Sequence, residues 1–328
     1  MNVLLTGAAG FVGSHIVERL LAEGSRVVGV DNLITGSLGN IASIQDHERF
    51  SYLDADVATQ GERITDFCEA AGFKPSIILH FASPASPVDY AARPFETLAV
   101  NSHGTEYCAT AALRWGAALL FASTSEIYGD PLEHPQRETY WGNVNTTGPR
   151  ACYDEGKRYG EAVVTTHVRH SGLDGRLVRI FNTYGPRMRT DDGRVVPNFV
   201  TQALRGEPLT VYGNGSQTRS FCYVDDLVDG IVRFAKLKRA PGVILNIGNP
   251  VELSVLEFAR LVAQIAGTEL HIQEGTLPID DPTRRCPDIT RAKELLGWAP
   301  VVDVREGLRR TISWFRSQPA PVTGAATR

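Results

Sequence analysis

The chain has 328 residues, a net charge of −4, 43% apolar and 21% charged residues, the proportions of a globular protein with a core large enough to fold unaided. No basic block is present to attract nucleic acid or an anionic membrane surface, no apolar run approaches the ~18 residues of a membrane span, and no signal-peptide pattern follows Met1. The cysteines, Cys68, Cys108, Cys152, Cys222 and Cys286, form no C-x-x-C pair and are odd in number, so reduced thiols in a cytoplasmic protein are expected, with neither a disulfide framework nor a metal site.

The first predicted strand, NVLLT (2–6), runs into TGAAGFVG and then a helix, FVGSHIVERLLAEG (11–24). Gly7, Gly10 and Gly13 have the spacing G-x-x-G-x-x-G between strand and helix. In a dinucleotide site one glycine makes the tight turn, one admits the pyrophosphate, and one packs helix on strand. The helix N-terminus offers N–H groups and a positive dipole end to the phosphates. The next strand, RVVGV (26–30), is followed by Asp31. An acid there accepts hydrogen bonds from the adenosine ribose and repels a 2′-phosphate, which favours NAD over NADP. FSYLD (50–54) leads to Asp56 and Val57, placed to reach the adenine in the same way.

SIILHFA (76–82) is the fourth strand, and a long helix is expected over 93–116. The fifth strand, AALLFA (117–122), is followed by Thr124, Ser125 and Glu126. A glutamate at that place sits where a buried strand hands over to a cleft. A helix beginning YDEGK follows and sets Tyr153 and Lys157 at i, i+4 on one face. A phenol is a poor base at its usual pKa of about 10, and a neighbouring ammonium lowers that value. Such a pair can take a proton from an alcohol while NAD takes the hydride.

RLVRIF (176–181) is the sixth strand. Strand–helix alternation with near-continuous apolar strands predicts a Rossmann-type α/β fold, a doubly wound parallel sheet covered on both faces, over 1–180. From 181 prolines and glycines rise and elements shorten. A smaller α/β substrate-binding domain is expected over 181–316, with segments near 220–248 returning to the first; VILNIG (243–248) is one such strand. A loose tail is expected over 317–328.

TGAAGFVG, STSEIYG and the Tyr153–Lys157 pair resemble the extended short-chain dehydrogenase/reductases that act on nucleotide sugars. ASPASP, TSEIYGDP, GPRACYDEGKR, IFNTYGPRM, DDGRVVPNF and GEPLTVYGNGSQTR are similar, more narrowly, to the UDP-glucuronic acid decarboxylase (UDP-xylose synthase) family. That similarity runs over nearly the whole chain. Some members of the family carry an N-terminal membrane anchor; this chain starts at the first strand and resembles the soluble bacterial type.

The resemblance implies a substrate, UDP-glucuronate, and a tightly bound NAD. Tyr153 removes the proton from the sugar 4-hydroxyl as C4 is oxidised. The resulting β-keto acid loses CO2, C5 is protonated, and C4 is reduced again to give UDP-xylose. Thr124 and Ser125 hold the C4 oxygen and the carboxylate. Glu126 joins the decarboxylation stage by crowding the substrate carboxylate, by orienting a water, or by donating a proton toward C5. Arg285, in DDPTRRCPDI (280–289), faces the carboxylate or a bound water; Cys286 departs from the family's usual lysine.

For the substrate the resemblance implies Arg219 at the diphosphate, Asn182, Val195 and Tyr212 around the uridine, and Tyr90 and Pro84 near the sugar. Phe11, Val12, Asn32, Phe81, Ala82 and Asn101 complete the expected cofactor set. A homodimer through helices 93–116 and 153–171 is also implied. The rivals are a UDP-glucuronate 4-epimerase or another nucleotide-sugar-modifying short-chain dehydrogenase, and a non-catalytic NAD-sensing protein on the same fold.

Overall fold

The computed structural model describes residues 1–276, 282 and 284–318. The first half comprises β1 (Asn2–Thr6), α1 (Phe11–Ala22), β2 (Arg26–Asp31), β3 (Phe50–Asp54), α2 (Gly61–Ala70), β4 (Ile77–His80), α3 (Pro87–Ala92), α4 (Pro94–Ala99), α5 (Thr105–Trp115), β5 (Ala118–Thr124), α6 (Ala151–Ser171) and β6 (Gly175–Ile180). The second half adds β7 (Thr183–Tyr184), α7 (Val195–Arg205), β8 (Leu209–Tyr212), β9 (Thr218–Ser220), β10 (Cys222–Tyr223), α8 (Val224–Ala235), β11 (Ile244–Ile247), β12 (Glu252–Ser254), α9 (Val255–Ala266), β13 (Ile272–Gly275), β14 (Arg284–Arg285), α10 (Thr290–Leu296) and α11 (Val304–Ser317).

Seven strands form one parallel sheet in the order β11-β6-β5-β4-β1-β2-β3. Their side chains alternate between two apolar layers, as the strand repeat of two requires. Val3, Leu5, Leu79 and Leu120 enter one layer; Leu4, Ile78, Leu119 and Phe121 enter the other. The first layer continues without a break into Phe199, Phe221, Phe258, Trp298 and Phe315 of the second half. Strand β11 pairs with β6 in register Ile244↔Leu177, so late sequence completes the sheet edge.

The strand order reverses between β1 and β4, which pair through Thr6↔His80. The crevice beyond the carboxyl ends of those two strands is where open α/β sheets bind ligands. Outside the main sheet, β12, β9 and β14 form a three-stranded unit, β8 pairs with β13, and β7 with β10.

The single helix expected over 93–116 is divided. Pro94 opens α4, residues 100–104 form a π-helical turn, and α5 follows. The wider turn points the buried Asn101 side chain at the Thr97 carbonyl (2.9 Å) and the Ser83 hydroxyl (3.1 Å). Such single π turns often mark functional sites. Among the described residues no helix is long and apolar enough to cross a membrane. Residues 319–328 of the expected tail, and Asp280, Asp281 and Thr283 of the DDPTRRCPDI stretch, lie outside the described residues.

Candidate active site

The turn after β1 is built by its glycines. Gly7 has φ of +79°, a conformation side chains rarely adopt, and its N–H donates to the Val30 carbonyl at 2.8 Å. A Cβ on Gly13 would lie 1.9 Å from the Gly7 carbonyl oxygen, so α1 reaches the strand this closely only with glycine there. Phe11 and Val12 start the helix and pack partly buried against the core. The helix N-terminus is thereby held at the mouth of the crevice.

A cleft over this turn is lined by Gly7, Gly10, Asp31, Asn32, Asp56, Val57, Phe81, Ala82 and Pro84, among others. Eight of these were expected at the cofactor; Pro84, expected at the sugar, lies here. Asp31 accepts from the Ala9 N–H (2.9 Å) and the Leu33 N–H (2.8 Å). Burial raises its pKa, against the pull of those N–H groups. Asn32 donates to Asp56 at 3.0 Å. Among the described residues the lining includes the carboxylates of Asp31, Asp56 and Glu96 and no lysine or arginine. A glycine cradle at a helix N-terminus with an acidic far wall fits a dinucleotide whose ribose carries no phosphate. Thr35 and Ser83 also line the cleft, and no sequence signal marked them.

At the other end of the crevice, α6 lies along β5. Tyr153 is buried, stacks on Tyr90 at 5.1 Å between ring centres, and shares a hydrogen bond with the Thr124 side chain. Lys157 is also buried. Its ammonium donates to the Ala122 carbonyl at 2.8 Å and lies 5.9 Å from the Tyr153 ring centre. Burial pushes the Tyr153 pKa up, against the Thr124 hydrogen bond and the Arg194 charge. Burial also lowers Lys157 to about 7. The ammonium is thus held between the backbone of β5 and the Tyr153 ring.

Glu126 follows β5 as expected, and its charge is not bare. One carboxylate oxygen accepts from Arg285 and the other from Arg150, the latter at 2.5 Å. Burial alone would raise its pKa, but the two guanidinium charges and their hydrogen bonds hold it well below the usual carboxylate range. Its negative charge is shared between two guanidinium groups. Arg285, 2% exposed, also reaches the Ser125 hydroxyl (3.3 Å) and the Gly129 carbonyl (3.0 Å). Its Nε is buried with no hydrogen-bond partner among the described residues, as are the Tyr90 hydroxyl and one Asp154 oxygen.

Arg150 and Asp154 were not singled out from the sequence. Arg150 precedes Tyr153 by three residues and Asp154 by four, so the i, i+3 and i, i+4 rule places it beside them at the start of α6. That spacing was the available signal. Burial and the Glu126 charge raise the Asp154 pKa, against Arg150 and Arg285. Arg194, also unforeseen, acts on Tyr153 electrostatically and pairs with Asp192.

The remaining expected residues are more dispersed. Arg219 is buried in β9 and donates to the Thr218 carbonyl at 2.9 Å. Asn182 is half-buried between β6 and β7, its carbonyl accepting from the Cys222 N–H. Val195 opens α7, half-buried. Tyr212 ends β8 and is 40% exposed. The five cysteines are free thiols.

Comparison with known proteins agrees with this architecture. Residues 3–248 match the NAD dependent epimerase/dehydratase family. A UDP-glucuronic acid decarboxylase 1 of Xenopus tropicalis is 49% identical over 317 residues, 97% of this chain and 72% of the relative. The solved UDP-glucose 4-epimerase of Thermotoga maritima superposes with a TM-score of 0.87 at 28% identity, over 96% of this chain and 99% of that one. A UDP-glucuronic acid 4-epimerase from Bacillus cereus, in complex with UDP-glucuronic acid and NAD, gives 0.85 at 26% identity, over 96% and 99%.

Proposed function

The chain belongs to the NAD dependent epimerase/dehydratase family, and from that premise we propose that it converts UDP-glucuronate to UDP-xylose and CO2, with NAD as a regenerated cofactor. The observation that carries this reading is the Arg150–Glu126–Arg285 cluster directly after β5, beside the Thr124–Tyr153 pair. A hydroxyl-bonded phenol suits removal of a proton from an alcohol; two guanidinium groups suit a carboxylate substrate.

Bound NAD would accept hydride from C4 and return it there. Tyr153, held by Thr124, takes the 4-hydroxyl proton and later gives it back. Lys157 supplies positive charge beneath the tyrosine ring. Once C4 is a ketone, the bond from C5 to the carboxylate breaks. CO2 leaves, and its bonding pair enters the ketone as an enolate. The Nε of Arg285 is a buried donor with no protein partner and suits the departing carboxylate or the enolate oxygen. Glu126 anchors both arginines. A solvent proton delivered to C5, followed by return of hydride to C4 and of the Tyr153 proton to the C4 oxygen, would complete the sequence.

Residues 181–316 are proposed to cover the uridine and sugar, with Arg219 at the diphosphate and Asn182, Val195 and Tyr212 around the base. Exposed Phe95, Leu98 and Tyr159 on α4 and α6 support a homodimer through those helices. Five free thiols suit a reducing cytoplasm. The test is incubation with UDP-glucuronate and NAD while CO2 and nucleotide-sugar products are followed together by magnetic resonance. A UDP-pentose with equimolar CO2 supports the proposal. A UDP-hexuronate epimer without CO2 assigns the rival 4-epimerase activity, and no turnover on any nucleotide sugar assigns a sensing role.

A further inference from the structure

Cys286 takes no part in the chemistry above, and its surroundings are distinctive. Its Sγ, the Nε2 of His134 and a carboxylate oxygen of Glu252 all lie within 4.8 Å of one another. The three come from separate segments: His134 from the loop after β5, Glu252 from β12, and Cys286 from the end of β14. They are held rigidly. Strands β12 and β14 flank β9 in one small sheet. The His134 loop is fastened to Cys286 through Gln136, whose N–H donates to the Cys286 carbonyl while its side-chain oxygen accepts from the Cys286 N–H, both at 2.9 Å. The Thr218 hydroxyl donates to one Glu252 oxygen at 2.6 Å and leaves the other facing His134 at 2.9 Å.

We propose that His134, Glu252 and Cys286 form a binding site for a soft divalent cation of the zinc class. The donor set is one thiolate, one imidazole and one carboxylate, which zinc accepts and magnesium or calcium does not favour. Ligand atoms around a tetrahedral zinc lie roughly 3.4–3.6 Å apart, given bonds of about 2.0–2.3 Å; the three atoms here need only small adjustments. Binding breaks the His134–Glu252 hydrogen bond and the contact of the Cys286 thiol with the Pro250 carbonyl at 3.3 Å. A sulfur–metal bond forms and the thiol proton passes to solvent. The charges of one thiolate and one carboxylate then balance the dication. Thr218 orients the ligating carboxylate from outside, and the fourth position faces water on the exposed His134 side. The metal would sit one residue from Arg285, so it ties the strand that carries that arginine to the His134 loop.

The test uses the full, untagged chain stripped by chelator. Cobalt(II) added to it should bind at one per chain with a sulfur-to-cobalt charge-transfer band, and zinc should displace it. Zinc should also raise the melting temperature, as any ligand selective for the folded state does. Cys286→Ser should abolish the charge-transfer band. His134→Ala, at an exposed side chain, should weaken zinc at least about tenfold, and Thr218→Val about tenfold, the low end for an outer-shell partner. Metal-free melting of each variant reports whether it folds. The proposal is overturned if cobalt gives no such band, or if Cys286→Ser retains as much zinc as the wild type. Should that variant fail to fold, unchanged zinc affinity in His134→Ala overturns it alone.

Discussion

Glu126 joins the two halves of the site, and its partners decide what it can do. Side-chain exposures of 17% for Glu126, 14% for Arg150 and 2% for Arg285 make this a buried pair on each side, where removing one partner leaves charge uncompensated. Glu126→Gln should therefore cost about 3 kcal/mol, the low end for a broken buried pair, read as a fall in denaturant midpoint. A carboxyl held below its ordinary value stabilises the fold above that value and loses this as pH falls through the folded value. The gap between wild type and variant should thus be full above pH 4.5, the ordinary value, and narrow below it. A gap independent of pH would show that charge is not the cause. In turnover the same variant should still build NADH absorbance, because Thr124 bonds Tyr153 and the Glu126 backbone N–H (3.2 Å) but not the Glu126 side chain, while CO2 release falls. Tyr153→Phe should instead stop both, by at least about a hundredfold, as expected for a positioned acid/base group; near-normal turnover would remove Tyr153 from the mechanism. The sequence places Glu126 at a strand end and Arg285 near a carboxylate, yet it does not reveal that they bond each other, since 159 positions separate them. Nor does Y-x-x-x-K spacing say that the lysine turns toward the strand backbone.

Elements were legible where the hydrophobic period is long and uniform. The seven main strands fall close to their expected places because most are buried on both faces, which leaves near-continuous apolar runs, while the edge strand β3 is only partly covered. The stretch 93–116 reads as one helix, since a π turn keeps the helical side-chain pattern almost intact and is set by Asn101 finding Thr97 and Ser83. The His134–Glu252–Cys286 cluster was invisible for a related reason: metal-ligand spacing is recognised within one segment, and these ligands sit on three. Helix α6 depends on a close approach that the sequence does mark. A Cβ on Gly160 would lie 2.4 Å from the Phe121 ring, and Phe121 belongs to β5, the strand that ends at Thr124. Gly160→Ala should push α6 away from β5, at about 1–3 kcal/mol for overpacking, and should loosen the Tyr153–Thr124 bond. The expected result is a lower melting temperature together with a lower rate of NADH formation. Unchanged stability and rate would mean that the helix shifts freely and that its depth does not set the site.

At the scale of the molecule, the second half completes the first. Strand β11 closes the sheet edge, Arg176 of β6 donates to the Phe234 carbonyl of α8 at 2.9 Å, and one apolar layer runs through both halves. The inner face of α6 carries Tyr153 and Lys157, both buried, and its outer face carries exposed apolar surface. Tyr159 lies two positions beyond Lys157, on nearly the opposite side of the helix, and is 55% exposed. Phe95 on neighbouring α4 is 80% exposed and Leu98 41%. Large apolar side chains gathered on adjoining helices are the mark of an association surface. A second copy related by a two-fold axis would bring the same patch against itself and form a four-helix layer, since such an interface is self-complementary. That layer would press α6 from behind and hold Tyr153 and Lys157 at their depth against β5. Phe95→Glu combined with Tyr159→Glu should place like charges across the axis. Sedimentation should then show wild type at twice the chain mass and the variant at the single-chain mass. The variant should also melt lower and form NADH more slowly, although none of its changed residues touches the crevice. A wild-type chain that sediments as a monomer at micromolar concentration would remove the interface, and a monomeric variant with full activity would show that α6 needs no support from a partner.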